Sequence, residues 1–106
     1  MFFDFGAMIK VMLKRVESGV SGKGLGPDFL EGVRDLALSY GLVGIAFTRD
    51  DGSIKVIAEG EEKKLEKFVK KLHKRQFFSS IENTYALWRE PTGGFQDFSC
   101  HGVGVE

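Results

Sequence analysis

The chain has 106 residues, with 15 Lys and Arg against 15 Asp and Glu, 42% hydrophobic residues and one cysteine, Cys100. That length supplies one domain around one core, and the balanced charge argues against a dedicated nucleic-acid binder or a polybasic membrane anchor. No apolar run approaches the roughly 20 residues that a bilayer demands, and a lone cysteine with no Cys/His cluster implies neither disulfide, metal nor cofactor and a reducing, cytoplasmic setting.

The opening, Met1 to Ala7, carries Phe2, Phe3 and Phe5 without the positive n-region and long apolar stretch of a signal peptide. Three phenylalanines on a free tail would expose a large apolar surface. The segment is therefore expected to pack on its own domain or to act as an arm that joins a sheet edge of a second copy in a homodimer. Met8 to Arg15 alternates Ile9, Val11 and Leu13 with Lys10, Met12 and Lys14 and reads as a first strand with one buried face. Five glycines between Gly19 and Gly32 then suggest a long loop. A helix follows, with Pro27 in its first turn, Asp28 and Glu31 as a capping box, Gly41 as its stop and an apolar stripe of Phe29, Val33, Leu36, Ala37 and Tyr40.

Val43 to Thr48 and Ser53 to Glu59 flank Arg49-Asp50-Asp51-Gly52, a hairpin with turn residues at its centre. Glu61 to Arg75 is the clearest helix, because Leu65, Phe68, Val69 and Leu72 repeat at one helical face. Its lysines read as a solvated outer face rather than a nucleic-acid patch. Phe77 and Phe78 plug the connection to a strand over Ile81 to Glu90, in which Trp88 is a core residue. Pro91 to Gly94 is a turn, Phe95 to Cys100 a short last strand with Cys100 as a small buried apolar group, and His101 to Glu106 a tail. The order strand, helix, strand, strand, helix, strand, plus a short final strand, gives an α+β fold. It is a ferredoxin-like α/β sandwich, with two helices on one face of an antiparallel sheet.

Gly41-Leu42-Val43-Gly44, Asp51-Gly52-Ser53, Ala58-Glu59-Gly60, Ile81-Glu82-Asn83, Trp88, Glu90-Pro91-Thr92-Gly93, Phe95 and Phe98 together resemble the acylphosphatase family over Phe29 to about Cys100. The resemblance implies hydrolysis of a carboxyl-phosphate bond without metal or cofactor. In that family a loop of the form G-x-V-Q-G-V-G-F-R holds the phosphate on backbone N–H groups and its final Arg, and an Asn on the second strand orients the water. Such an arrangement uses the positive potential of a helix start.

Counting from Gly41-Leu42, the resemblance assigns the family's Arg to Leu30 and its Asn to Thr48. Leu cannot bind phosphate, and Thr lacks amide geometry. Arg15 to Val20 resembles the start of the loop, which leaves about eight additional residues before the helix. Glu17 and Asp28 then place carboxylates where a phosphate would sit. Lys23, Gly24 and Gly26 have the composition of an anion-binding loop, and Arg34, one helical turn after Leu30, leans back toward the helix start. Each also reads as an ordinary solvated residue. His73 reads as helix surface. Two functions follow as expectations: a binding or assembly module that has lost hydrolysis, or an acylphosphatase with a rebuilt site that uses Lys23 or Arg34 for phosphate and Thr48 for water. RNA binding on the open sheet face is disfavoured, because no pair of stacking aromatics is evident.

Overall fold

The computed structural model describes residues 12–22, 25–74 and 81–102. The Phe-rich arm, Met8 to Val11, Lys23, Gly24, Phe77, Phe78 and the last four residues lie outside them. The elements are β1 (Leu13–Gly22), α1 (Pro27–Ser39), β2 (Val43–Thr48), β3 (Ile54–Glu61), α2 (Glu62–Leu72), β4 (Ile81–Arg89) and β5 (Phe98–His101). They form a five-stranded sheet in the order β4-β1-β3-β2-β5. All neighbours are antiparallel except β5, which runs parallel to β2. This is the expected ferredoxin-like α+β architecture.

Period-2 alternation builds the sheet's inner face. Val16, Ser18 and Val20 of β1 lie beside Ala58, Val56 and Ile54 of β3, and all six are buried. Period-3.6 stripes close the core from above: Phe29, Leu30, Val33 and Ala37 of α1, and Leu65, Phe68 and Leu72 of α2. Phe68 meets Phe98 of β5 edge-to-face, with centroids 6.5 Å apart.

The hairpin turn is a tight reversal at Arg49 to Gly52, in which Gly52 N–H donates to Arg49 O (2.9 Å) and Arg49 N–H to Ser53 O (2.7 Å). Gly52 alone takes the left-handed conformation, at φ +87°, and Asp51 stays at negative φ. The pattern is a type I turn followed by a glycine bulge rather than a two-residue turn. Gly44 is required by crowding: a Cβ there would lie 1.9 Å from Ile57 O.

Several expectations are corrected. The first described strand, Leu13–Gly22, runs seven residues past Arg15, where the expected strand ended; Met8 to Val11 lie outside the described residues, and Leu13 is 56% exposed rather than buried. Serine at the core position 18 interrupts the apolar alternation by which the strand would have been read. The α1 N-cap is Gly26, with no side-chain cap, so Asp28 and Glu31 make no capping box. Trp88 is 43% exposed, on β4, which among the described residues is an edge strand with no neighbour on its far side. The last strand is Phe98–His101, which takes in His101 and leaves Phe95 to Asp97 outside it.

Candidate active site

β1 runs as far as Gly22 and α1 begins at Pro27, so the loop between them is short, not expanded. The hydrogen-bonded length of β1 also removes Arg15 to Val20 from the loop. Read back from Phe29 and Leu30, the pattern G-x-V-Q-G-V-G-F-R falls on Gly22 to Leu30 with no insertion, and Gly22, Gly26 and Phe29 match. Glu17 likewise lies outside the loop. It sits mid-strand beside Ile57 and Leu87, with Arg15 Nε at 3.1 Å, Lys55 Nζ at 3.7 Å and Arg89 Nε at 3.9 Å.

Gly26 leads into α1, and its carbonyl accepts the Leu30 N–H at 3.1 Å. Leu30 is 5% exposed and belongs to the hydrophobic core. The sequence stripe had omitted it. Thr48 ends β2 opposite Ile54, and its position follows the inward-facing alternation of Gly44 and Ala46. Its side chain makes no hydrogen bond among the described residues. Arg34 is exposed, and its Nε donates to Phe98 O at 3.3 Å. That bond places it in a groove of about 500 Å³ between α1 and β5, where it is the only lining cation among the described residues. Pro27, Leu30 and Cys100 share this groove, as do the acids Glu31 and Asp97. The fold thus brings Arg34 and Leu30 together, and Thr48 does not line the same groove.

Cys100 is only half-buried, and its thiol donates to Leu30 O at 3.2 Å, which ties β5 to the first turn of α1. Burial pushes this thiol above its ordinary pKa. A second pocket, about 270 Å³, lies at the hairpin end and includes Ser21, Arg49, Asp51, Ser53 and Tyr85. The Ser53 hydroxyl, at 2.6 Å, and its backbone N–H, at 2.9 Å, hold the Asp51 carboxyl below its ordinary range. Arg49, read from sequence only as a turn residue, thus lines a pocket directly after Thr48.

His73 is not a plain surface residue. Ser18 Oγ donates to Tyr85 O at 2.8 Å and therefore accepts from His73 Nε2–H, also at 2.8 Å. Burial lowers the imidazole pKa and favours the neutral ring. With its proton committed to a carbonyl, Ser18 is not an activated nucleophile. Among the described residues no group of three or more His, Cys, Asp or Glu is placed to hold a metal ion, and no helix is long and apolar enough to cross a membrane.

Against known proteins, residues 16–100 match the acylphosphatase family model. An acylphosphatase of Mycolicibacterium smegmatis is 33% identical over 85 residues, covering 80% of this chain and 87% of the relative. That of Pelotomaculum thermopropionicum is 33% identical over 79 residues, covering 74% and 86%. The crystal structure of Bacillus subtilis acylphosphatase superposes with a TM-score of 0.73 at 27% identity, over 82% of this chain and 97% of that one. A ferredoxin-like sandwich with a short glycine loop running into its first helix is the frame of a small α+β phosphohydrolase family. This chain belongs to the acylphosphatase family.

Proposed function

We propose that this chain has lost acyl-phosphate hydrolysis and keeps the fold as a binding module. The observation that carries this reading is Leu30, an apolar side chain 5% exposed in the core at the position where the resemblance puts the phosphate-binding arginine. A guanidinium offers five N–H donors and a fixed charge, and leucine offers neither. Asp28 adds negative charge to the first turn of α1, which repels a phosphoryl group. Losing one preorganised donor costs about 10² to 10³ in rate, and Thr48 is a second changed position. Turnover is therefore expected several orders of magnitude below that of an enzyme with both groups in place. Benzoyl phosphate hydrolysis, followed beside the Bacillus subtilis enzyme, is the test. The expected result is no turnover above the spontaneous rate, and comparable turnover would overturn the reading.

A second reading, an acylphosphatase with a rebuilt site, is supported by the relatives' shared name and by Arg34 in the groove beside Leu30. In it Arg34 or Lys23 holds the phosphoryl group while Thr48 orients a water. The water oxygen bonds to phosphorus, the phosphorus–oxygen bond to the acyl group breaks, and the carboxylate leaves with the electron pair as the water's proton passes to solvent. Measurable turnover that collapses in Arg34→Ala or Lys23→Ala would favour this reading over the first.

A further inference from the structure

The outer face of α2 concentrates positive charge to a degree that the neutral total conceals. Residues 62–74 hold six of the chain's fifteen Lys and Arg but only two of its fifteen Asp and Glu. Lys63, Lys64, Lys67, Lys70, Lys71 and Lys74 are all exposed, opposite the buried Leu65, Phe68 and Leu72. Within α2, Lys63, Lys67 and Lys70 recur at i, i+4 and i+7, a single row about 10 Å long at the helical rise, and Lys74 follows just past the helix end. Among the described residues none of the six makes an ion pair or a side-chain hydrogen bond.

The helix dipole accounts for Lys70 and Lys71 in the last turn but not for the rest of the row. Like charges three and four residues apart repel one another. Lys63 and Lys64 also occupy the first turn, where the helix dipole disfavours cations. A partner with closely spaced negative charges reverses both penalties.

We propose that this lysine face of α2 docks on the phosphate backbone of a nucleic-acid duplex, without reading its sequence. The exposed sector carries no aromatic or apolar side chain that would enter a lipid interface. It also lacks the base-reading chemistry of a groove binder, so the contact is with backbone charge. One strand presents a phosphate about every 3.4 Å of axis, so a row of this length spans several of them. The surface lies outside the groove between α1 and β5, and the inference is independent of whether hydrolysis is retained.

The test is fluorescence anisotropy of a labelled 20-base-pair duplex of arbitrary sequence, titrated with the full chain from 20 to 150 mM NaCl. Binding is expected at low salt, equal for two unrelated sequences, with log K falling against log salt at a slope of about −0.9 per lysine engaged. The variant Lys63→Gln/Lys67→Gln/Lys70→Gln/Lys74→Gln should retain the urea midpoint of the parent or exceed it, and should lose about 3 to 4 from the magnitude of that slope. No binding at 20 mM salt overturns the proposal. So does an unchanged slope in the folded variant, or tighter binding to anionic phospholipid vesicles or polyglutamate than to the duplex.

Discussion

The two ends of the sheet treat charge in opposite ways. At the end where β1 begins and β4 stops, Glu59 is 4% exposed, and its carboxylate is surrounded by donors. Thr92 N–H and Oγ–H reach Oε2 at 2.9 Å each, Gly93 N–H reaches Oε1 at 3.0 Å, and Arg15 Nη1 stands 3.1 Å from Oε2. Arg15 also packs over the Phe95 ring, 5.9 Å from its centroid. At the other end, Leu30 is about as deeply buried and carries no polar side-chain atom at all. This fold is able to hide a charge, and does so where a turn wraps donors around it. An apolar residue at position 30 therefore belongs to its local surroundings, where its side chain joins the hydrophobic core.

Substitutions should separate the two ends, and equilibrium urea unfolding at fixed m-value is the common measurement. The largest effect is expected from Leu30→Ala, about 2 to 5 kcal/mol for a core leucine. A cost below 1 kcal/mol would show that Leu30 is not a packing residue and would reopen the site end to polar chemistry. Glu59→Gln should cost about 1.5 to 3 kcal/mol, since it removes charge-assisted hydrogen bonds and leaves Arg15 without its buried partner. Burial alone would raise the Glu59 pKa, but the amides of Thr92 and Gly93, the Thr92 hydroxyl and Arg15 outweigh it and hold the carboxyl below its ordinary 4.5. The stability this supplies is therefore complete above the ordinary value and is lost as pH falls through the lower folded one. The parent should lose stability across that acidic range more steeply than Glu59→Gln, and parallel curves would deny the clasp its charge.

Ser18→Ala should cost about 1 to 2 kcal/mol, by stranding Tyr85 O and His73 Nε2. The lowered pKa of His73 adds a milder loss of stability as pH falls below 6.5, because the folded state resists protonation of the ring. An NMR titration of His73 at or above 6.5 would remove that contribution. The smallest effect is expected at Thr48→Ala, within about 0.5 kcal/mol, since the hydroxyl makes no hydrogen bond to described residues. A large loss there would reveal a structural role at the site end.

Repeating patterns made the fold legible. The stripe of Leu65, Phe68 and Leu72 and the hairpin around Gly52 depend on contacts near in sequence, and both stand where periodicity put them. The continuation of β1 past Arg15 is hidden from local pattern because its core face includes Ser18, whose polarity is satisfied by residues 55 and 67 positions away. Glu59 follows the buried Ala58 in β3, and its own burial depends on the 91–94 turn folding over it, which no local pattern encodes. At the site, counting from Gly41 located Leu30 and Thr48, and family spacing sufficed for that. The association of Arg34 with β5 and of Arg49 with Ser21 depends on strand order, which spacing along the chain does not carry.

The bond from Cys100 to the carbonyl of Leu30 turns the single cysteine into a native reporter of how α1 separates from β5. Alkylation proceeds through the thiolate, and burial keeps that form scarce here. Iodoacetamide should therefore label the folded chain slowly and accelerate whenever this seam opens. Labelling rates measured across low urea concentrations, well below the unfolding midpoint, would give both the free energy of that opening and, from its urea dependence, the surface it exposes. A shallow dependence would mean that β5 peels from α1 as a local event, and a steep one that the seam opens only when the whole domain does.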